Sequence, residues 1–213
     1  MEKRDIAIKG TGGMAREVRW VIEDLNSVED KWNILGWVSK EEPESMVAGL
    51  PVLGDDDWLL AHDKPIDVAL SVGSGLLRKK IVSYLRQNEK ISFPSIIARS
   101  AEVSNYVKMG EGAIIMNKSL LTVDIEVGDF FLCNYGCTVG HDCKFEDYVT
   151  LNPGARISGV VHMEECSTVG VGASIIQGLS IGKNSFIGAG AAVIRNVGDN
   201  CTAVGVPAKP LEK

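Results

Sequence analysis

The sequence lacks the features that mark secreted, membrane-spanning or metal-ribbon proteins. No run approaches the roughly 18 apolar residues that cross a bilayer, and the apolar part of MEKRDIAIKG is too short for a signal peptide. The five cysteines form no C-x-x-C pair, which excludes the common zinc spacing and suits a reducing compartment. We therefore expect a cytoplasmic protein without a structural metal.

Basic residues are also in deficit. The 22 lysines and arginines are outnumbered by 28 aspartates and glutamates, which gives a net charge of −6 and a pI near 5.2. Such a surface repels phosphate backbones and anionic lipids, so we expect no nucleic-acid partner and no membrane insertion. With 213 residues, 45 % of them apolar, the chain is long enough for a sizeable core.

The stretch 1–92 alternates strand-like and helix-like patterns. Three short apolar stretches predict strands: IAI (6–8), ILGWV (34–38) and IDVALSV (66–72). Helical spacing of apolar residues predicts helices over 14–25 and 76–85. This alternation predicts a small Rossmann-like parallel α/β sheet, with about half the strands of a full dinucleotide-binding domain.

From Ile97 onward every sixth residue is apolar, seventeen times without a break. At 45 % apolar content, chance gives this result about once in a million for a fixed register. The residue four positions later is usually small. The seventeen positions are Ile97, Val103, Met109, Ile115, Leu121, Val127, Cys133, Val139, Phe145, Leu151, Ile157, Met163, Val169, Ile175, Ile181, Ile187 and Val193.

A six-residue period predicts a parallel β-solenoid whose coil has three short faces, with one hexad on each face. The recurring apolar residue faces the axis, and the small residue fits a crowded corner. We place this domain at residues 93–198 and a C-terminal tail at 199–213. The pattern does not fix the hand of the coil.

The hexads, together with GHDCKFEDYVTLNPGARISG, IGAGAAVIRNV, VGVPAKP and the leading KGTGGMAREV, resemble the left-handed β-helix acyltransferases. The resemblance is to their sialic-acid O-acetyltransferase and UDP-4-amino-sugar N-acetyltransferase branch, and it covers nearly the whole chain. It implies a left-handed coil, a homotrimer and acetyl-CoA as the acyl donor.

His141 is the candidate general base. It is the third residue of the Val139 hexad, so it should face outward, and in a trimer this wall becomes a cleft between neighbours. A histidine near neutral pH can accept a proton from an attacking amine or hydroxyl, and Asp142 would orient the ring and favour its protonated form. The resemblance implies the same two catalytic roles.

Four residues are candidate acetyl-CoA contacts. Gly159 follows His141 by three hexads, which is one coil, so its backbone N–H would lie beside the base and suit the thioester oxyanion. The resemblance implies contacts at Gly159, Val171 and Ala189, whose small neighbours would let a pantetheine arm lie flat. Thr150 stands where related enzymes often carry a second histidine, and its hydroxyl could bind the acetyl carbonyl.

The front domain has glycine-rich turns between strands and helices. GTGGMA (10–15) fits G-x-G-x-x-A, which alone favours a nicotinamide oxidoreductase, but the domain is short and WVSKEE offers no clear ribose-binding acid. The resemblance implies a nucleotide-linked sugar, although Met14 and Ser39-Lys40 replace a frequent histidine and an Asp-Asp pair. The candidate acceptor-binding residues are Gly10, Gly12, Gly13, Met14, Ser39, Lys40, Gly73, Ser74 and Asn134.

The remaining histidines and cysteines have structural interpretations. His62 should end a helix, and His162 should lie at the surface, since its offset of one coil and half a hexad prevents stacking on His141. Cys137 and Cys143 occupy small inward positions, so we expect packing and direct acyl transfer in a ternary complex rather than an acyl-enzyme.

We therefore predict an acetyl-CoA-dependent acetyltransferase acting on an amine, or a hydroxyl, of a nucleotide-linked sugar for surface glycan or polysaccharide synthesis. A sialic-acid-type O-acetyltransferase is the first alternative. A zinc enzyme like the γ-class carbonic anhydrases would need three converging histidines, and only two lie in the solenoid. A non-catalytic solenoid binding protein is the third.

Overall fold

The computed structural model describes residues 3–211. Residues 1–2, which begin the predicted first domain, and residues 212–213, which end the predicted tail, lie outside the described residues. Among residues 3–211, none of the helices is long and apolar enough to cross a membrane.

From residue 3 onward, the front domain is a six-stranded sheet with three helices. In sheet order the strands run β3-β4-β2-β1-β5-β6, all parallel except β3, which pairs antiparallel with β4. In chain order the elements are β1 (Arg4–Lys9), α1 (Gly13–Asn26), β2 (Trp32–Val38), β3 (Met46–Val47), β4 (Leu50–Gly54), α2 (Asp56–Ala61), β5 (Ile66–Ala69), α3 (Gly75–Leu85) and β6 (Ile91–Ser92). The predicted parallel α/β sheet is confirmed, with more strands than the pattern had indicated.

The central strand β1 contains the apolar sequence IAI, with side chains on both faces, and helices cover both faces of the sheet at this strand. Ile6, Ala7 and Ile8 are each 0 % exposed, as expected for a parallel strand buried on both sides. Helix α1 buries Val18 and Ile22 against one face of the sheet. The strand-to-helix turn before α1 therefore lies at the carboxyl edge of the sheet.

The second domain is a three-sided prism of two-residue strands. All seventeen hexad positions are the second residue of a strand, so the predicted solenoid is confirmed in full register. These strands, β7 to β23, are Ile96–Ile97, Glu102–Val103, Lys108–Met109, Ile114–Ile115, Leu120–Leu121, Glu126–Val127, Leu132–Cys133, Thr138–Val139, Lys144–Phe145, Thr150–Leu151, Arg156–Ile157, His162–Met163, Thr168–Val169, Ser174–Ile175, Ser180–Ile181, Phe186–Ile187 and Ala192–Val193.

Each strand from β7 to β20 pairs in parallel with the strand three places later in the chain, and these pairings build three faces. The first face contains β7, β10, β13, β16, β19 and β22; the second contains β8, β11, β14, β17, β20 and β23; the third contains β9, β12, β15, β18 and β21. We call the corner that follows each face by the same ordinal. In the predicted tail, β24 (Thr202–Val204) extends the first face by pairing with β22, and β25 (Lys209–Pro210) pairs antiparallel with β24.

The corners repeatedly adopt the left-handed backbone conformation. Glycine fills several of them, but Asp142, Tyr148 and Val160 also have φ values near +60°. Such values are unfavourable for a β-branched or bulky side chain and are tolerated better by aspartate. Because the backbone turns in the same way at each corner, side chains at equivalent hexad positions of successive coils project from the same wall of the prism.

The front domain packs on the first face and the third corner of the prism. Helix α1 covers Ile114, Met116 and Leu132, which belong to one apolar cluster with the sheet. On the other side, Phe130 and Tyr148 of the third corner join the cluster that contains Val82 and Leu85 of α3. Among the described residues, no apolar cluster or hydrogen bond joins the front domain to the second face or the second corner, although the C-terminal tail bonds to Ala192 of β23.

Candidate active site

His141 and Asp142 lie at the second corner, directly after β14. His141 Nδ1 is 2.7 Å from Asp142 Oδ2, and the two side chains are 50 % and 57 % exposed. A carboxylate at this distance accepts a hydrogen bond from Nδ1–H. The lone pair of Nε2 is then free to accept a proton from a substrate. The pair therefore has the geometry of an oriented general base on the outer wall.

Gly159 lies one coil above His141 and directly against its ring. A Cβ built on Gly159 would come within 2.6 Å of both Cε1 and Nε2 of His141. The next residue, Val160, donates its N–H to the His141 carbonyl at 2.7 Å. Within residues 3–211 the Gly159 N–H makes no hydrogen bond. Among the described residues, Gly159 therefore combines a backbone donor without a partner and a position against the candidate base, which suits an oxyanion-binding group.

Thr150 lies in the junction between the two domains rather than on an open wall. It is 1 % exposed, and its hydroxyl donates to the Gly73 carbonyl at 3.1 Å and accepts from Arg78 at 2.9 Å. Contact with an acyl carbonyl stays a prediction, and in this chain it requires the hydroxyl to withdraw its proton from the Gly73 carbonyl. Sequence reasoning missed Arg78, because nothing local signals contacts with strands so distant along the chain.

Val171 and Ala189 follow first-face strands, so they lie on the first corner and not beside Gly159. Both are exposed, and Val171 is 54 % exposed. The whole second face separates them from His141 within one chain. The sequence grouped these residues with Gly159 as acetyl-CoA contacts, whereas the offset of two hexads from Gly159 to Val171 is two faces rather than a full coil.

The glycine turns of the front domain meet at the carboxyl edge of the sheet. β1 lies between β2 and β5, so the chain order reverses at β1 and β5, which is where parallel α/β sheets bind ligands. Gly12 is the N-cap of α1, and added Cβ atoms on Gly12, Gly13 and Gly73 would meet no atom within 4 Å. Open backbone N–H groups therefore border this crevice.

The other acceptor-binding candidates surround the same edge. Gly10 has a φ of +102° and donates its N–H to Val38. Ser74 is exposed and caps α3, since its side chain accepts from the Leu77 N–H. Met14 is half-buried against the cluster under α1, so its side chain packs rather than faces the crevice.

Ser39 and Lys40 line a separate cleft after β2. The cleft has a volume of about 610 Å³, and Glu41, Leu53, Asp55 and Trp58 complete much of its wall. Glu41 accepts a hydrogen bond from Thr11 in the glycine turn at 2.7 Å, so a wall residue of the cleft contacts that turn. The Glu41 contact was not predicted from the sequence.

Asn134 follows β13 on the first face. It is half-buried, and its side chain accepts from the Tyr135 N–H at 2.9 Å. Asn134 thus begins the first corner, one coil above Met116, which packs in the cluster under α1, so it lies on the side of the prism that the front domain covers. The second corner with His141 lies one face away.

The remaining histidines lie away from the His141–Asp142 pair, whereas Cys143 directly follows Asp142 and packs into the solenoid core. His62 ends α2, and His162 Nε2 is 3.3 Å from Glu146 on the third face. Cys143 is 1 % exposed, and burial raises the pKa of its thiol, which disfavours the thiolate that a nucleophile needs. Within residues 3–211 no group of three or more metal-ligating side chains is placed to hold an ion.

The chain thus combines a three-sided prism of hexad coils, an exposed histidine on the outer wall of the prism and a small parallel-sheet domain. Residues 5–85 match the family model described as the PglD N-terminal domain. No curated protein sequence matches the chain significantly.

Several solved structures match almost the whole chain, and three of them illustrate the similarity. The acetyltransferase domain of PglB from Neisseria gonorrhoeae FA1090, in complex with acetyl coenzyme A, is 29 % identical, with a TM-score of 0.90 over 99 % of this chain and 100 % of that one. PerB from Caulobacter crescentus, in complex with CoA and GDP-perosamine, is 33 % identical, with a TM-score of 0.88 over 98 % and 97 %. WeeI from Acinetobacter baumannii AYE is 28 % identical, with a TM-score of 0.89 over 98 % and 100 %.

The chain belongs to the left-handed β-helix, hexapeptide-repeat sugar acetyltransferases. The predicted left hand of the coil and the predicted acyltransferase class are thereby confirmed.

Proposed function

We propose that the protein transfers an acetyl group from acetyl-CoA to the amine of a nucleotide-linked sugar. The observation that carries the proposal is the imidazole of His141, oriented by Asp142 and lying against Gly159, whose N–H has no hydrogen-bond acceptor among the described residues. The relatives support the two substrates, since one is solved with acetyl-CoA and another with CoA and GDP-perosamine.

In this mechanism the sugar amine attacks the thioester carbonyl of acetyl-CoA directly. Nε2 of His141 takes the proton that the amine loses as the carbon–nitrogen bond forms, while Asp142 holds the ring in the required tautomer. The Gly159 N–H stabilises the oxyanion, and the carbon–sulfur bond then breaks to release CoA, whose thiolate takes up a proton. No acyl-enzyme forms, consistent with the buried and packed Cys143.

The nucleotide of the acceptor occupies the carboxyl edge of the front sheet. The N-terminus of α1, with open glycines at 12 and 13, suits a phosphate because backbone N–H groups and the helix dipole both favour an anion there. Lys40 offers a second positive group in the adjoining cleft. Gly73, Ser74 and Asn134 lie on the path from this edge to the first face, where the sugar would extend.

The acyl donor lies along the first corner, against Val171 and Ala189. These residues and His141 occupy different corners of one prism, so a single chain does not place them together. A homotrimer would set the second corner of one protomer against the first corner of the next, and a closed cyclic assembly gives three equivalent sites. We therefore propose that each active site combines residues of two protomers.

The cellular role follows from these substrates. Acetylated nucleotide sugars are donors for surface glycan and polysaccharide synthesis, and we propose that role here. All five cysteines are free, which fits the reducing cytoplasm in which acetyl-CoA and nucleotide sugars are available.

A free-CoA release assay tests the proposal. The purified protein is given acetyl-CoA with a panel of UDP-, dTDP-, GDP- and CMP-linked amino sugars, and free sialic acid tests the O-acetyltransferase alternative. We expect turnover with at least one amino sugar, and we expect His141→Ala to lower kcat at least about a hundredfold with the fold retained. Near wild-type turnover in that variant would remove the mechanism.

A further inference from the structure

Arg78 of α3 is a buried guanidinium without an acidic partner among the described residues. It is 2 % exposed, and burial lowers its pKa to about 10. Removing a charge from water is unfavourable unless hydrogen bonds replace the lost hydration. Every part of the guanidinium is therefore expected to have a protein acceptor.

The hydrogen-bond acceptors of Arg78 lie in both domains. Nη1 donates to the carbonyls of Val72 and Gly73 at 2.8 and 2.9 Å, in the turn after β5. On the solenoid side, Nε and Nη2 donate to the carbonyls of Phe130, Tyr148 and Val149 and to the Thr150 hydroxyl, at 2.8 to 3.1 Å. One side chain thus joins the turn to two successive coils.

Two further contacts fix the same turn. The Thr150 hydroxyl donates to Gly73, which closes a ring of hydrogen bonds through Arg78. Gly75 packs so tightly that an added Cβ would collide with the Tyr148 carbonyl and lie 3.2 Å from Cys166 Cα. Between these contacts, Gly73 and Ser74 remain exposed at the ligand edge of the sheet.

We propose that Arg78 is a positioning residue for the acceptor. It holds the turn Val72–Ser74 at a fixed place on the solenoid, and so sets where the acceptor sugar is presented to the acetyl group. This inference rests on the proposed function and assigns Thr150 to the same network. A misplacement of about 1 Å can lower a rate about a hundredfold, so a rigid link at this junction matters for turnover.

The test compares three variants of the full-length protein. Arg78→Lys keeps the charge, but the three donors on its single nitrogen cannot reach the acceptors of both domains as the planar guanidinium does. Thr150→Val removes only the hydroxyl, and it carries the test if Arg78→Lys does not fold. Lys80→Met is the matched control, since Lys80 is exposed on the same helix.

Hydrogen–deuterium exchange without substrates gives the first readout. We expect peptides over 70–77 to exchange at least about tenfold faster in Arg78→Lys than in the wild type, and to show a smaller increase in Thr150→Val. The first-face strands in the coils above and below Thr150 should keep their protection. Lys80→Met should match the wild type. Unchanged exchange in a folded Arg78→Lys, or in Thr150→Val where that variant carries the test, would overturn the proposal.

Steady-state kinetics give the second readout, with the amino sugar found active in the acceptor panel. In Arg78→Lys we expect the KM for the sugar to rise at least about tenfold and the KM for acetyl-CoA to stay within about twofold of the wild-type value. An equal rise in both constants would indicate general loss of structure and would also overturn it. If the wild type acetylates no sugar, the proposed function fails instead, and the exchange result remains an independent test of the link.

Discussion

Replacing Gly159 by alanine tests the geometry of the candidate base. The new Cβ would lie 2.6 Å from Cε1 and Nε2 of His141 and 3.0 Å from Cδ2, whereas an ordinary contact is 3.4 to 4 Å. The ring must therefore move by about 1 Å to restore an ordinary contact distance. Because the imidazole is half-exposed and ends a rotatable side chain, it can move without disturbing the coil.

The expected effect is a loss of rate rather than of stability. A shift of about 1 Å in a catalytic group costs on the order of a hundredfold in kcat, and we expect that loss in the CoA release assay with Tm within a few degrees of the wild type. Gly198→Ala is the control, since its added Cβ meets no atom within 4 Å.

The double variant His141→Ala/Gly159→Ala separates two explanations. If Gly159→Ala acts through the ring, the double variant should turn over as slowly as His141→Ala alone, because alanine keeps the backbone N–H. Near wild-type kcat in a folded Gly159→Ala, or losses that simply multiply in the double variant, would refute the reasoning.

Three further changes test other parts of the structure. Gly75→Ala forces α3 away from backbone atoms of the solenoid, so we expect a loss of about 1–3 kcal/mol, seen as a lower Tm, while Gly73→Ala should leave Tm unchanged; equal Tm values would contradict the tight junction. Asp142→Asn should keep the corner, because asparagine tolerates its φ of 58°, and lower kcat about tenfold or more; wild-type kcat would exclude a role for the carboxylate. Hydrogen bonds from two lysines hold the pKa of Glu165 below its ordinary value, so its stabilising effect should be present at neutral pH and lost as the pH falls below about 4.5; a Tm difference between wild type and Glu165→Gln that persists in acid would contradict this.

Much of the solenoid was predictable because its core repeats with the coil. One residue of every six must face the axis, and no insertion interrupts the count between Ile97 and Val193. The strands β3, β4 and β6 and the short helix α2 were not predicted, since such short elements carry too little periodicity to read.

The site was predictable only in part, for a physical reason. Outward positions separated by three hexads stack, so His141 and Gly159 could be paired by counting. The same count, applied to Val171, would have shown that it lies on another corner. Arg78 and Gly75 act through contacts with distant parts of the chain that depend on how the two domains pack, and no local pattern encodes that packing.

Mixing two inactive variants tests most directly whether neighbouring protomers share one active site. His141→Ala removes the base, and Val171→Trp blocks the predicted acetyl-CoA path at an exposed position of the other corner. Co-expressed in equal amounts and purified as trimers, they should recover about one quarter of wild-type activity, because a random cyclic trimer joins an intact His141 to an intact Val171 at about one site in four. Mixed trimers no more active than either variant alone would contradict the shared site.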